Sequence, residues 1–180
     1  MTNEAKLAGS PGLVPEGAGW FVVNMKEARW KQNERFGTWC AFEGDARFPQ
    51  LGINVHMLKS GQAACMYHSE NSQEDFLVLS GHCTLIVNGE ERSLSQWDFV
   101  HCPAGTTHVF VGAGEEGCAI LMIGARSEPE EVCYPVEEVA QRHGAGVDVE
   151  TASPAEAYAD APASVEIESP WPPSALEQTR

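Results

Sequence analysis

Apolar residues in this chain fall into short runs separated by turn residues. GINVHML (52–58) alternates, with Ile53, Val55 and Met57 on one face and Asn54, His56 and Leu58 on the other, which predicts a strand. WFVVNM (20–25), FGTWCAF (36–42), AACMYH (63–68), DFLVLSG (75–81) and CAILMIGA (118–125) read as further strands, and KEARWKQNERFG as a turn or short helix. In CTLIVNGEERSL (83–94) an Asn88-Gly89 pair sits between two β-prone runs, the strongest short-range hairpin signal. WDFVHCPAGTTHVFVGAG (97–114) gives strand, Pro-x-Gly turn, strand. Strands at a spacing of about 8–12 residues with turns between them predict an all-β sandwich or barrel.

The pattern changes at both ends. Residues 1–18 are rich in Gly, Pro and Ala and predict a flexible N-terminal arm. After residue 127 the strand period stops. PVEEVAQRHG (135–144) has Pro at its start, acidic residues in the first turn and Gly144 past its end, which predicts a short helix. Ser153-Pro154-Ala155-Glu156 is a capping box that opens a second. The expected division is an arm over 1–18, a barrel over 19–127 and an acidic extension over 128–180. Its Pro-rich end, with Pro170, Trp171, Pro172 and Pro173, reads as a solvated tail or as a strap over a neighbouring surface.

The net charge of -15 is uneven. Residues 1–60 carry +1, residues 61–127 carry -6 and residues 128–180 carry -10. A surface this acidic repels nucleic acid and anionic membranes, which bind through Lys and Arg, so neither is an expected partner. No run approaches the roughly 18 apolar residues of a spanning helix, and the expected address is the cytoplasm. Six cysteines without a CxxC pair read as small buried hydrophobes in a reducing compartment.

One stretch is dense in potential ligands: Gly61, His68, Glu70, Glu74 and Gly81. On a strand, His68 and Glu70 are i and i+2 and share a face. A second histidine, His108, follows the Pro103-x-Gly105 turn and opens a strand. Two imidazoles and a carboxylate converging inside a barrel make an N/O site for a divalent transition metal. With open positions such a set suits Fe(II), and also Zn, Mn or Ni.

These two segments resemble the paired motifs of the cupin superfamily. The first family motif runs Gly, His-x-His, Glu, six residues, Gly. The second runs Gly, five residues, Pro-x-Gly, two residues, His, three residues, Asn. This chain matches at His68, Glu74, Gly81, Pro103, Gly105 and His108, with residues 82–96 as the hairpin between the motifs. It departs at Glu70, where the second His stands, at Trp97, where the second motif opens on Gly, and at Gly112, where it ends on Asn. The gap from Gly61 to His68 is one residue longer than usual. The resemblance implies a double-stranded β-helix (jelly-roll barrel), a metal held by His68, Glu74 and His108, a small-molecule ligand and a homodimer. The His-x5-Glu spacing with a later His is similar to that of 3-hydroxyanthranilate dioxygenase-type cupins, which leans the expectation toward an oxidoreductase. Isomerase or epimerase action on a sugar, and binding without turnover, stay open.

Glu70 reads as a fourth ligand, as a catalytic general base or as a surface group. Two His with one Glu leave +1 on a divalent site, whereas a second Glu neutralises it. Gln73 reads as a hydrogen-bond donor to Glu74 or as an exposed amide. His101 and Cys102 could face the cavity, while His56, His82 and His143 read as surface or structural. Met57, Met66, Phe76, Phe110 and Met122 read as barrel lining.

Overall fold

The computed structural model describes residues 2–44 and 46–170. The strands are β1 (Lys6–Ala8), β2 (Val14–Glu16), β3 (Trp30–Asn33), β4 (Gly37–Ala41), β5 (Leu51–Leu58), β6 (Ser69–Glu70), β7 (Glu74–Val87), β8 (Glu90–Ser95), β9 (Phe99–Cys102), β10 (His108–Ala125), β11 (Val132–Cys133) and β12 (Val165–Ile167). The two helices are α1 (Glu138–Arg142) and α2 (Pro154–Ala157). The main sheet runs β12-β3-β4-β5-β10-β7-β8, with β9 also on β7, and all its pairs are antiparallel. The expected all-β jelly-roll class is what the chain adopts.

The β7–β10 ladder makes the barrel. Glu74 pairs with Gly124 at one end and Val87 with His108 at the other. A straight ladder would hold those ends about 40 Å apart. Instead it folds over at a corner where Ala113 pairs with His82 and Cys118 with Gly81, so residues 114–117 loop out. Gly81 (φ 73°) and Gly117 (φ 70°) are both left-handed, and a Cβ on Gly81 would run into the Gly117 carbonyl oxygen. Folding over turns the two halves into facing walls. Between them pack Phe76, Val78, Leu85, Phe110 and Ile120, all buried.

The Asn88-Gly89 hairpin forms as expected, with Val87 opposite Glu90 and both turn residues at positive φ (49° and 78°). Both departures in the second motif have local reasons. Trp97 adopts φ 77°, the conformation a glycine would take, with its ring exposed. Gly112 lies against Lys59, where any Cβ would meet the carbonyl oxygen, so an Asn does not fit.

Several local expectations change. Residues 20–25 form no strand; Trp20 makes a single bridge to Glu4, and Val22 is 80% exposed. The strand lies in the segment read as a turn or helix, because Trp30 is fully buried and donates Nε1–H to the Met25 carbonyl at 2.8 Å. Residues 63–68 form no strand of their own; Ala63 and His68 make single bridges to Val111 and His108 on β10, and Ala64 N–H donates to the Phe110 carbonyl at 2.9 Å. In the N-terminal residues β1 pairs with β2, Leu13 N–H donates to the Glu27 carbonyl and Arg29 N–H to the Leu13 carbonyl.

Both C-terminal helices form. Glu137 caps α1 at Val139 N–H and Ser153 caps α2 at Glu156 N–H. The extension returns to the barrel, since β12 pairs with β3 through Ile167 and Trp30. Trp171, Pro172 and Pro173 lie outside the described residues. Among the described residues no helix is long and apolar enough to cross a membrane.

Candidate metal centre

His68 and His108 are locked to each other. Each backbone N–H donates to the other's carbonyl, at 3.2 and 2.8 Å, as a two-residue antiparallel bridge. The rings then sit with centroids 5.2 Å apart. Each Nδ1 lies at a carbonyl two residues back, His68 at Met66 O (2.8 Å) and His108 at Thr106 O (3.1 Å). A carbonyl can only accept, so each Nδ1 carries a proton and Nε2 is the nitrogen left to meet a metal or another partner; on His68 that Nε2 faces Glu70 and must give up its own proton before it can ligate. The same arrangement fixes the tautomer and orientation of metal-bound histidines.

Glu74 completes the group from the opposite wall. It opens β7, and the corner at Gly81 brings it across to His108, with Oε2 3.5 Å from Nε2. Ligand atoms of His68, Glu74 and His108 all lie within 4.8 Å of one another. Two ligands at about 2.1 Å from one ion are at most about 4.2 Å apart, so the group needs only a slight closure to hold a metal. The donor set, two imidazole Nε2 atoms and one carboxylate, suits the first-row divalent metals expected above. Glu70 lies outside this mutually close group, although its Oε1 is 3.5 Å from His68 Nε2.

The electrostatics show a site strained by its own charge. Burial, and then Glu70, push Glu74 up to about 7. Burial and the neighbouring His68 push His108 down to about 4, so it is a neutral ligand at physiological pH. Burial opposes a charge on His68 as well, but Cys65, Glu70 and Glu74 outweigh it and hold the ring well above the usual histidine range. The hydrogen bond from His68 keeps Glu70 below the usual carboxylate range despite burial. A bound cation at the three ligands would remove the penalty on Glu74.

A cavity of about 260 Å³ opens on the group. Phe76, Phe110 and Met122 line it, as the sequence suggested for these three, together with Asn54, His56 and Arg126. Arg126 is paired with Glu43, its Nη2 donating to both carboxylate oxygens (2.7 and 2.9 Å). Arg47 stands exposed at the rim.

Several candidates go elsewhere. Gln73 donates to Asp75 (2.6 Å), and His101 Nδ1 also meets Asp75 (2.7 Å), so both belong to an outer surface cluster. Cys102 is buried in the barrel core, where desolvation pushes its thiol up to about 11. His143 pairs with Glu91, and His82 is exposed. Met57 and Met66 pack in other clusters. His56 is the residue the sequence reading missed. The signal was its alternation with Asn54, which placed both on one face of β5.

Residues 54–124 match the family model described as the cupin domain. Among solved structures it is similar to a candidate sugar phosphate isomerase of Acidithiobacillus ferrooxidans, at 28% identity over 46% of this chain and 55% of that one (TM-score 0.44). It is also similar to a sugar phosphate isomerase from a cupin superfamily of Silicibacter pomeroyi, at 25% identity over 60% of this chain and 66% of that one (TM-score 0.47). A third is the polyketide cyclase RemF of Streptomyces resistomycificus, at 15% identity over 58% and 78% (TM-score 0.49). The chain thus spans 55% and 66% of the length of the first two. No curated protein matches it.

Proposed function

We propose that this protein is a mononuclear metalloenzyme acting on a small molecule, with a divalent Fe, Zn, Mn or Ni ion held by His68, Glu74 and His108. The observation that supports this is the pair of Nε2 atoms oriented by carbonyl-bound Nδ1 groups toward one carboxylate. When bound, the metal would act as a Lewis acid, or would bring substrate and O2 together. Glu70 is the catalytic base in this reading rather than a ligand: it is ionised, it sits beside His68, and it is only partly screened from the cavity. Phe76, Phe110 and Met122 exclude water from the reacting side. The His68-x5-Glu74 spacing carries the lean toward oxygenase chemistry. A homodimer in the cytoplasm is the assembly and compartment of the same proposal, the latter supported by six free thiols.

Metal analysis after reconstitution tests the site. About one equivalent per chain is expected for the native protein and for Glu70→Gln, and under about a tenth for His68→Ala and His108→Ala. Equal loading of native protein and both histidine variants sinks the reading.

A further inference from the structure

The metal cavity has a neighbour. His56 and Ala64 line both the 260 Å³ cavity and a second one of about 380 Å³. The second is aromatic, with Phe36, Trp39 and Tyr158 in its walls. Its outer wall comes from the C-terminal extension and is firmly fixed. Tyr158 Oη accepts from the Met66 N–H (3.1 Å), its ring meets Phe36 edge-on at 5.3 Å, and Asn33 Nδ2 donates to the Pro162 carbonyl (2.7 Å). This chamber is therefore part of the folded architecture rather than a gap under a loose tail.

His56 is the partition. Its ring stacks on Trp39 with centroids 5.7 Å apart and planes 17° from parallel. Its Nδ1 is buried and has no hydrogen-bond partner among the described residues. Such a group is costly, and each instance in a folded protein calls for an explanation. Desolvation holds the ring neutral, with its pKa near 4. The volumes point the same way. The metal cavity alone is below the range of about 300–1,000 Å³ usual for ligand pockets, while the two together fall inside it.

We infer that the two cavities are one binding site with His56 at its waist. Its ligand is an elongated small molecule: an oxygen-bearing head that meets the metal, and a flat apolar body that lies along Trp39 in the aromatic chamber. The head's placement rests on the metal site proposed above; the body's rests on the chamber alone.

Two hydroxamate probes separate the parts. Acetohydroxamate carries only a metal-binding head, and 2-naphthohydroxamate adds a flat apolar body. Calorimetry on the Zn-loaded full chain is expected to show the naphthyl probe binding at least about tenfold more tightly. In Trp39→Ala, which removes the stacking surface, and in Ala161→Trp, which fills the chamber from the extension, that gain falls below about threefold while acetohydroxamate affinity stays unchanged. Ala161→Trp keeps the test alive should Trp39→Ala not fold. Equal affinity of the two probes in native protein, or a full naphthyl gain in both variants, overturns the inference and leaves the metal site standing. If acetohydroxamate does not bind at all, the metal reading fails, and the two-part ligand with it.

Discussion

Glu74 should destabilise the metal-free protein it equips for function. Its pKa is raised from 4.5 to about 7 by burial and by Glu70. Between those two values the folded chain holds a proton that the unfolded chain has released, so this group's contribution to stability falls as pH rises from 4.5 to 7. A displacement of that size corresponds to about 3 kcal/mol. That shift already includes the opposing attraction of His68, so the net effect of removing the charge is about 3 kcal/mol. Glu74→Gln keeps the shape and removes the charge. With chelator present, the variant should match native protein near pH 4.5 and exceed it near pH 7.5 by about 3 kcal/mol, a rise in Tm of roughly 6–12 °C for a chain of this length. Urea denaturation at both pH values measures the difference. Added metal should reverse the order, since only the native chain gains RT ln(1 + [L]/Kd) from a complete ligand set. If the metal-free variant is no more stable than native protein at pH 7.5, Glu74 is not buried at the cost described.

His56 should act with the opposite sign. Burial lowers its pKa from 6.5 to about 4, so its contribution is present above 6.5 and is lost as pH falls toward 4, by at most about 3 kcal/mol because the ring is partly accessible. His56→Phe should flatten that limb of the stability profile in urea titrations, and an unchanged limb would count against a buried, unpaired ring. Gly81→Ala should cost more than about 2 kcal/mol and abolish metal uptake, because it forces apart the corner that brings Glu74 to His108. Gly114→Ala, also at positive φ but with only the His82 side chain nearby, should cost about 1 kcal/mol, and equal losses in the two variants would rule out the corner contact.

The three candidate ligands were legible in the sequence as a group that comes together because their spacing is fixed by backbone geometry. His108 follows a Pro-x-Gly turn, and Glu74 precedes Gly81 by the length of one barrel wall. Glu70 was readable as near the site but not as inside or outside the ligand group, since that depends on ångström-scale placement. The second wall was hidden for a different reason. Alternation in β5 gives two faces but does not say which one meets the cavity. Val55, on the apolar face, packs outward against Trp30 and Cys40, a layer supplied by residues 28–40. That covering frees the Asn54 and His56 face to line the inside. The docking of Tyr158 and Pro162 was equally invisible, because a four-residue helix carries no period long enough to show which surface it will meet.

The folded-over ladder also sets when the site can exist during folding. His68, Glu74 and His108 are close in space only after β7 and β10 have paired and their corner has closed. Earlier hairpins, including the one at Asn88-Gly89, hold at most part of the set. A metal ion therefore has little to grip until the slowest, most non-local contacts are made. Its hold on the chain lies on the native side of the barrier, so metal should prolong the lifetime of the folded state while leaving the rate of reaching it nearly unchanged.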